Sequence, residues 1–196
     1  MSSQNALALH FKSLHTPGHP LILTNIWDAI TARTISSLPS TRALATASYA
    51  IAAASGLADD DLDLDTNMRA VTAIARVASN HNLPLTVDLQ DGYAENLDEA
   101  VTRVIAAGAV GCNLEDLSRG KNTLYSVDEA CARIRTTMQV ATKLGVPDFV
   151  VNARTDALFA GERAGLEEAI ARGKAYLAAG AFNVFIWGGP ARKGWG

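Results

Sequence analysis

Short apolar runs alternate with longer amphipathic stretches along the chain. The runs at 21–26, 43–48, 85–89, 109–114, 149–153 and 183–187 mostly lack polar alternation, the pattern of parallel strands buried on both faces. They predict six strands. In the stretches between them apolar positions recur at three- and four-residue steps, as Val127, Ala130, Cys131, Ile134 and Met138 do, and helices are expected over 29–36, 67–80, 97–107, 127–144 and 166–179. Gly108, Gly145 and Gly180 follow the last three helices, where a glycine can take the left-handed conformation that ends a helix. Ser126, and either Asp65 or Thr66, suit helix N-caps. Repeated strand–helix units with right-handed crossovers leave two solutions, an eight-stranded barrel or an open doubly wound sheet. The first strand–helix turn has no GxGxxG, which weighs against the dinucleotide-binding version of the open sheet.

The chain has 196 residues, 48% hydrophobic and 19% charged, a globular make-up that excludes disorder and a fibrous fold. No Pro/Gly/Ser-rich linker or long charge block divides it, so one domain over 1–196 is expected. A (β/α)8 barrel typically takes about 250 residues, and this sequence stops just after its sixth predicted strand. Two strands and their helices are missing. Either a longer protein has been shortened, or six units stand as an open or partner-completed barrel.

Seventeen basic residues against 20 acidic ones give a net charge of -3, and their dispersal offers no footprint for nucleic acid. The first twenty residues lack the pattern of a signal peptide. The most apolar stretch, 43–58, contains Thr46, Ser48, Ser55 and Gly56 and falls short of the ~20 residues of a membrane span. Cys112 and Cys131 have no CxxC spacing and read as reduced thiols, with Cys112 a core residue, so a cytoplasmic setting is expected.

In parallel α/β folds chemistry gathers at the carboxyl ends of the strands. Those ends are polar here: Asn25 and Asp28 after the first strand, Ser48 and Tyr49 after the second, Asp88, Gln90, Asp91 and Tyr93 at the third, Asn113, Glu115 and Asp116 at the fourth, Asn152, Arg154 and Asp156 at the fifth. Several carboxylates at one end of a sheet repel one another unless a cation compensates them. Mg2+ is commonly held by one or two carboxylates plus waters, which Asp88 and Glu115 could supply, and Arg154 could clamp a substrate carboxylate with its planar fork. His10, His15, His19 and His81 all lie away from these ends, which argues against zinc-hydrolase and Ser-His-Asp chemistry. Asp91, Asp116 and Asp156 read as cap or turn residues, and the run Asp59, Asp60, Asp61, Asp63, Asp65 as a solvated loop entering a helix. Gly188 and Gly189 after the sixth strand form a weak anion-cradle signal.

Four strings in order, Thr46-Ala47-Ser48-Tyr49-Ala50 with Gly56-Leu57-Ala58-Asp59, Val87-Asp88-Leu89-Gln90-Asp91-Gly92-Tyr93, Asn113-Leu114-Glu115-Asp116 and Val151-Asn152-Ala153-Arg154, resemble the isocitrate lyase/phosphoenolpyruvate mutase superfamily. The resemblance implies a (β/α)8 TIM barrel, here incomplete with about six βα units. It also implies Mg2+, or Mn2+ in its place, and 2-oxo acids or hydroxy di- and tricarboxylates cleaved or rearranged through an enolate. It places Asp88 and Glu115 at the metal-site acids and Arg154 at a substrate-contacting arginine. Ser48, Tyr49 and Ala50 stand at the substrate-binding turn, with Tyr49 replacing a glycine and narrowing the pocket. Asp59 stands at a loop acid near the reacting groups and Asn122 at a gating-loop position.

The departures matter as well. Gln90 replaces a second acid and offers a neutral oxygen to the metal. The stretch 117–124 lacks the lyase Cys and His, which weighs against isocitrate and methylisocitrate cleavage. Tyr93 and Asp59 are candidate acid–base groups by position. Three readings follow: a Mg2+-dependent lyase cleaving a C–C bond of a small 2-oxo or 2-hydroxy acid; phosphonomutase or phosphonopyruvate-hydrolase P–C chemistry; or a catalytically silent short form that needs a partner. The expected partners are a small carboxylate substrate and copies of the chain or a barrel-completing chain, with no nucleic acid and no membrane.

Overall fold

The computed structural model describes residues 3–158 and 165–188. Its helices are α1 (Ser3–Ser13), α2 (Ala29–Ser36), α3 (Ser48–Ala54), α4 (Leu64–Asn80), α5 (Leu97–Ala107), α6 (Val127–Lys143) and α7 (Leu166–Ala178). Its strands are β1 (Asn25–Ile26), β2 (Leu44–Thr46), β3 (Leu85–Asp88), β4 (Gly111–Glu115), β5 (Leu117–Ser118), β6 (Thr123–Leu124), β7 (Val150–Thr155) and β8 (Asn183–Ile186). Six strands form one parallel sheet in the order β1-β2-β3-β4-β7-β8, while β5 and β6 make a separate antiparallel hairpin. All six expected strands are therefore present, as consecutive parallel neighbours of a TIM-barrel-type sheet with six strands among the described residues. Among the described residues β1 and β8 each pair on one side only.

Local chemistry accounts for the element ends. Asp28 caps α2 by accepting the Thr31 N–H at 2.7 Å, and Ser126 caps α6 in a reciprocal box with Glu129. The α4 cap is Asp63 rather than Asp65 or Thr66: its carboxylate accepts the Thr66 N–H at 2.6 Å, so the helix begins three residues before the expected position 67. Gly108, Gly145 and Gly180 have φ of 109°, 81° and 113° as anticipated.

Three elements are absent from the sequence-based expectation. The first is α1, whose buried Asn5, Ala8 and Phe11 sit three residues apart on one narrow stripe. It is tied down by polar bonds, with Gln4 donating to the carbonyls of Ile105 and Ala109 at 2.9 and 2.8 Å and Lys12 pairing with Asp148 at 2.9 Å. Phe11 packs so closely on β4 that a Cβ at Gly111 would lie 3.2 Å from its ring and 2.7 Å from the Val150 carbonyl oxygen. The second is α3, which begins at Ser48 where the expected strand was still running. The third is the β5–β6 hairpin. Conversely, β1 is only two residues long, because the segment before it has no strand beside it and Ile22 is 84% exposed.

Paired residues on neighbouring parallel strands face the same side. The register aligns Thr86 with Gly111 and Val150, Asp88 with Asn113, Asn152 and Asn183, and Glu115 with Arg154 and Phe185. This face is polar, and the Asn152 amide donates to the Asn113 carbonyl oxygen across it at 2.7 Å. The opposite face carries Leu85, Val87, Cys112, Leu114, Val151 and Ala153, all buried in the main core with Val71, Ile74, Val101, Val104 and Ile134 of the surrounding helices. Burying each Val or Ile side chain stabilises the fold by about 1.5–3 kcal/mol, which fixes the sheet's orientation and turns the polar set inward.

Candidate active site

The centre of the polar face is built on β3. Asp88 is held from three sides: its N–H donates to the Thr46 hydroxyl at 2.9 Å, and its carboxylate accepts the Ser48 and Gln90 N–H groups at 3.1 Å each. The Ser48 N–H is available because α3 starts there with Ala47 at its N-cap and no side-chain cap. After Asp88 the backbone enters left-handed conformations at Gln90 (φ 54°), Gly92 (78°), Tyr93 (59°) and Ala94 (53°). For non-glycine residues each costs roughly 1–3 kcal/mol and persists only where the surroundings enforce it. The Glu115 N–H donates to the Gln90 carbonyl at 2.8 Å, locking this loop to the end of β4.

Glu115 and Arg154 meet at 3.0 Å, and Arg154 also pairs with Asp156 at 2.5 Å. Burial pushes Glu115 up to about 8, with Arg154 lowering it and the Asp88 and Asp156 charges raising it further. Burial also raises Asp156 above the usual carboxylate range, against the pull of Arg154. The guanidinium of Arg154 stacks on the Trp187 ring with its carbon 4.6 Å from the centroid. The cluster thus has three carboxylates (Asp88, Glu115, Asp156) and one guanidinium, a site short of positive charge.

Asp59, Gln90 and Tyr93 form the adjoining wall. The Gln90 amide is buried and donates to the Asp59 backbone carbonyl and carboxylate at 3.0 Å each. The Tyr93 hydroxyl accepts from Asn67 at 2.7 Å, and burial raises its pKa. Arg119, from the loop after β5, reaches Asp59 at 3.5 Å and Asp60 at 2.5 Å, bridging the hairpin to the acidic turn. That turn is therefore not only a solvated run. Asn122 lies exposed in the β5–β6 turn at φ 50°. Tyr49 is 72% exposed, with its ring in solvent rather than folded over Asp88. Ala50 is half-buried beside it.

The donor chemistry suits a hard cation. Asp88 and Glu115 present carboxylate oxygens within the one or two that Mg2+ commonly takes from a protein, leaving the remaining positions for water and substrate. Among the described residues no three His, Cys, Asp or Glu side chains gather into a protein-only cage. No described helix is long and apolar enough to cross a membrane.

The sequence pattern of the phosphoenolpyruvate phosphomutase family matches residues 11–194. The chain belongs to that family. It is a member of the isocitrate lyase/phosphoenolpyruvate mutase superfamily, whose members of known activity are enzymes. It is 37% identical to the 2-methylisocitrate lyase of Escherichia coli K12 over 143 residues, 68% of this chain and 46% of that protein. It is 32% identical to the oxaloacetate decarboxylase of Paraburkholderia xenovorans over 183 residues, 87% of this chain and 58% of that protein. A phosphonopyruvate hydrolase solved with oxalate and Mg2+ superimposes with a TM-score of 0.83 at 26% identity, covering 97% of this chain and 65% of that one. The chain thus spans about half the length of the curated relatives it matches.

Within this family member several site-bordering residues escaped the reading of motifs. Arg119 sits in a stretch noted only for lacking Cys and His. Asp116 and Asp156 are not caps: both are buried, and Asp116 accepts the Thr155 hydroxyl at 2.7 Å and the Asp156 N–H at 2.9 Å. Asp91 does act in a turn, accepting the Tyr93 N–H at 3.1 Å, and also takes the Tyr125 hydroxyl at 3.1 Å. Gly188 closes the described part of β8's exit, and Gly189 lies outside the described residues. The available signal for Asp116 and Asp156 was their position directly after Glu115 and two residues after Arg154.

Proposed function

We propose that this chain carries the site of a Mg2+-dependent lyase that cleaves a C–C bond of a small 2-oxo or 2-hydroxy carboxylic acid through an enolate. The observation that supports it is the convergence of Asp88, Glu115 and Arg154 from three adjacent strands. Asp88 and Glu115 would hold the metal, with the Gln90 side-chain amide oxygen as a neutral third oxygen. Bound there, Mg2+ or Mn2+ would supply Lewis-acid polarisation of substrate oxygens.

The protein's own groups do the rest. Arg154 clamps the substrate carboxylate and, as the C–C bond breaks and its electron pair becomes an enolate, counters the new charge more strongly than in the ground state. In the turn of Ser48, Tyr49 and Ala50 the Ser48 N–H steadies Asp88, and the Tyr49 and Ala50 N–H groups at the start of α3 hold the other anionic end. Tyr93, kept protonated by burial, is placed to donate a proton, and Asp59 to accept one. Asn122 covers the site from the hairpin. Calorimetric titration of oxalate, a mimic of the pyruvate enolate, tests this: binding is expected only with Mg2+ and is lost in Glu115→Gln. No binding by the folded protein overturns it and leaves a silent short form.

A second reading keeps the residues and changes the reaction to P–C bond chemistry. The absence of Cys and His from the β5–β6 hairpin region favours it, as does the likeness to phosphonopyruvate hydrolase. Turnover of phosphonopyruvate against oxaloacetate separates the two. We further propose that the one-sided edges of β1 and β8 are covered by a second copy or a companion chain within a cytoplasmic oligomer, since unpaired edges invite pairing. An active monomer in sedimentation would remove that part.

A further inference from the structure

On the outer side of β7, facing away from the candidate site, lies a second charged cluster. Asp116 is 2% exposed, Arg172 6%, Tyr176 1%, and Thr155 and Asp156 are fully buried. The Asp116 carboxylate accepts from the Tyr176 hydroxyl at 2.6 Å, the Thr155 hydroxyl at 2.7 Å, the Asp156 N–H at 2.9 Å and Arg172 Nη1 at 3.3 Å. Arg172 is itself pinned by the Tyr125 carbonyl at 2.9 Å, the Tyr176 hydroxyl at 3.1 Å and Glu168 at 2.8 Å. A buried ion pair contributes little net stability compared with apolar side chains of the same volume, so stability alone is a weak reason for charge at this place.

The bonds from Asp116 end on the two residues that follow Arg154. The carboxylate of the second, Asp156, accepts Arg154 Nε at 3.2 Å and Nη2 at 2.5 Å. The Asp116 N–H also donates to the Arg154 carbonyl at 3.2 Å. We propose that Asp116, Arg172 and Tyr176 are positioning residues that set the guanidinium of Arg154 through Asp156, so that helix α7 fixes the orientation of the cation paired with Glu115. By holding the Asp156 N–H and the hydroxyl of Thr155, Asp116 fixes the backbone from which the Asp156 carboxylate reaches Arg154. The relay keeps the guanidinium over the Trp187 ring, with Nη1 against Glu115, and the N–H groups these bonds do not use serve a ligand. The inference rests on the function proposed above only in what Arg154 binds, and its test is arranged to separate the two.

The test uses the Trp27→Phe/Trp195→Phe background, in which Trp187 is the sole tryptophan, with Arg154→Ala as the reference for a lost guanidinium. Tyr176→Phe removes one bond to Asp116 and keeps the ring; Asp116→Asn weakens the whole set. Both are expected to move Trp187 emission toward that of Arg154→Ala and to weaken Mg2+-dependent oxalate binding about tenfold, the loss of roughly one hydrogen bond to a charged group. Unchanged emission and affinity in folded Tyr176→Phe, with only the unfolding midpoint lowered, overturns the relay. Should Asp116→Asn not fold, Tyr176→Phe decides alone. Should oxalate not bind the unsubstituted protein, the proposed function fails and Trp187 emission still decides the relay.

Discussion

Two arginines lie on opposite sides of the same sheet, Arg172 buried and Arg154 partly buried, each between two carboxylates. Arg172, on the outer face, pairs with Asp116 and Glu168 and fills its other positions with the Tyr125 carbonyl and the Tyr176 hydroxyl. Arg154, on the inner face, pairs with Glu115 and Asp156, but the cluster also faces Asp88, and its side chain keeps 20% of its surface open. One arrangement is almost fully buried at its arginine. The other leaves Glu115 pushed up to about 8 and Asp156 raised, chiefly by burial, with the neighbouring carboxylates adding to the shift and Arg154 opposing it. The difference separates a carboxylate whose cation lies almost fully buried beside it from a cluster in which carboxylates outnumber the guanidinium they share.

The strongest way to break this comparison is Asp116→Ala, which strands Arg172 without its carboxylate and the Thr155 and Asp156 donors without an acceptor. Chemical denaturation is expected to show a loss of about 3–5 kcal/mol, the cost of breaking one side of a buried pair; a loss near zero would make the outer cluster dispensable. Arg154→Ala should instead weaken Mg2+-dependent oxalate binding by about a hundredfold, as expected for losing a charge-assisted clamp. Arg172 would then be read first by stability and Arg154 by ligand affinity, with the tenfold effect of Tyr176→Phe on oxalate linking the two clusters.

Glu115 sharpens the contrast through pH. Its folded value lies above its ordinary 4.5, so the folded state binds the proton more tightly than the unfolded chain. Its contribution to stability is therefore complete below about 4.5 and is lost as pH rises toward about 8. Metal binding needs the carboxylate, so Mg2+ affinity should rise about tenfold between roughly pH 6.5 and 7.5, and the slope should vanish in Glu115→Gln. Calorimetry across that range checks both. The smallest effect is expected at Tyr49: with its ring in solvent, Tyr49→Gly should change oxalate affinity by about twofold or less, as for an ordinary surface change. A tenfold gain would mean that the ring closes over the site when ligand binds.

Much of the fold was legible because burial on both sides leaves an unbroken apolar signature. The strands at β3, β4 and β7 and the helices α2, α5 and α6 fell where apolar periodicity placed them, and Asp88, Glu115 and Arg154 stood out because a buried sheet has no packing use for charge at its ends. Less was readable where polar bonds replace apolar burial. Helix α1 is held by Gln4, Asn5 and Lys12, and the Asp63 cap is distinguishable from Asp65 only once the Thr66 N–H has a direction. Arg119 carried no motif at all; only the hairpin that folds back toward Asp59 and Asp60 gives it a role.

The sequence by itself determined the alternation of strands and helices, the six strands of the parallel sheet, the polar strand ends and the family, because these depend on side-chain type at short spacing. Tertiary structure alone decided which of the acidic residues share a cation. Glu115 and Asp116 are adjacent in the chain, yet the pleat sends one to Arg154 inside the sheet and the other to Arg172 outside it. Ion pairing depends on distance and desolvation after folding, and neither is a property of a residue's neighbours in sequence.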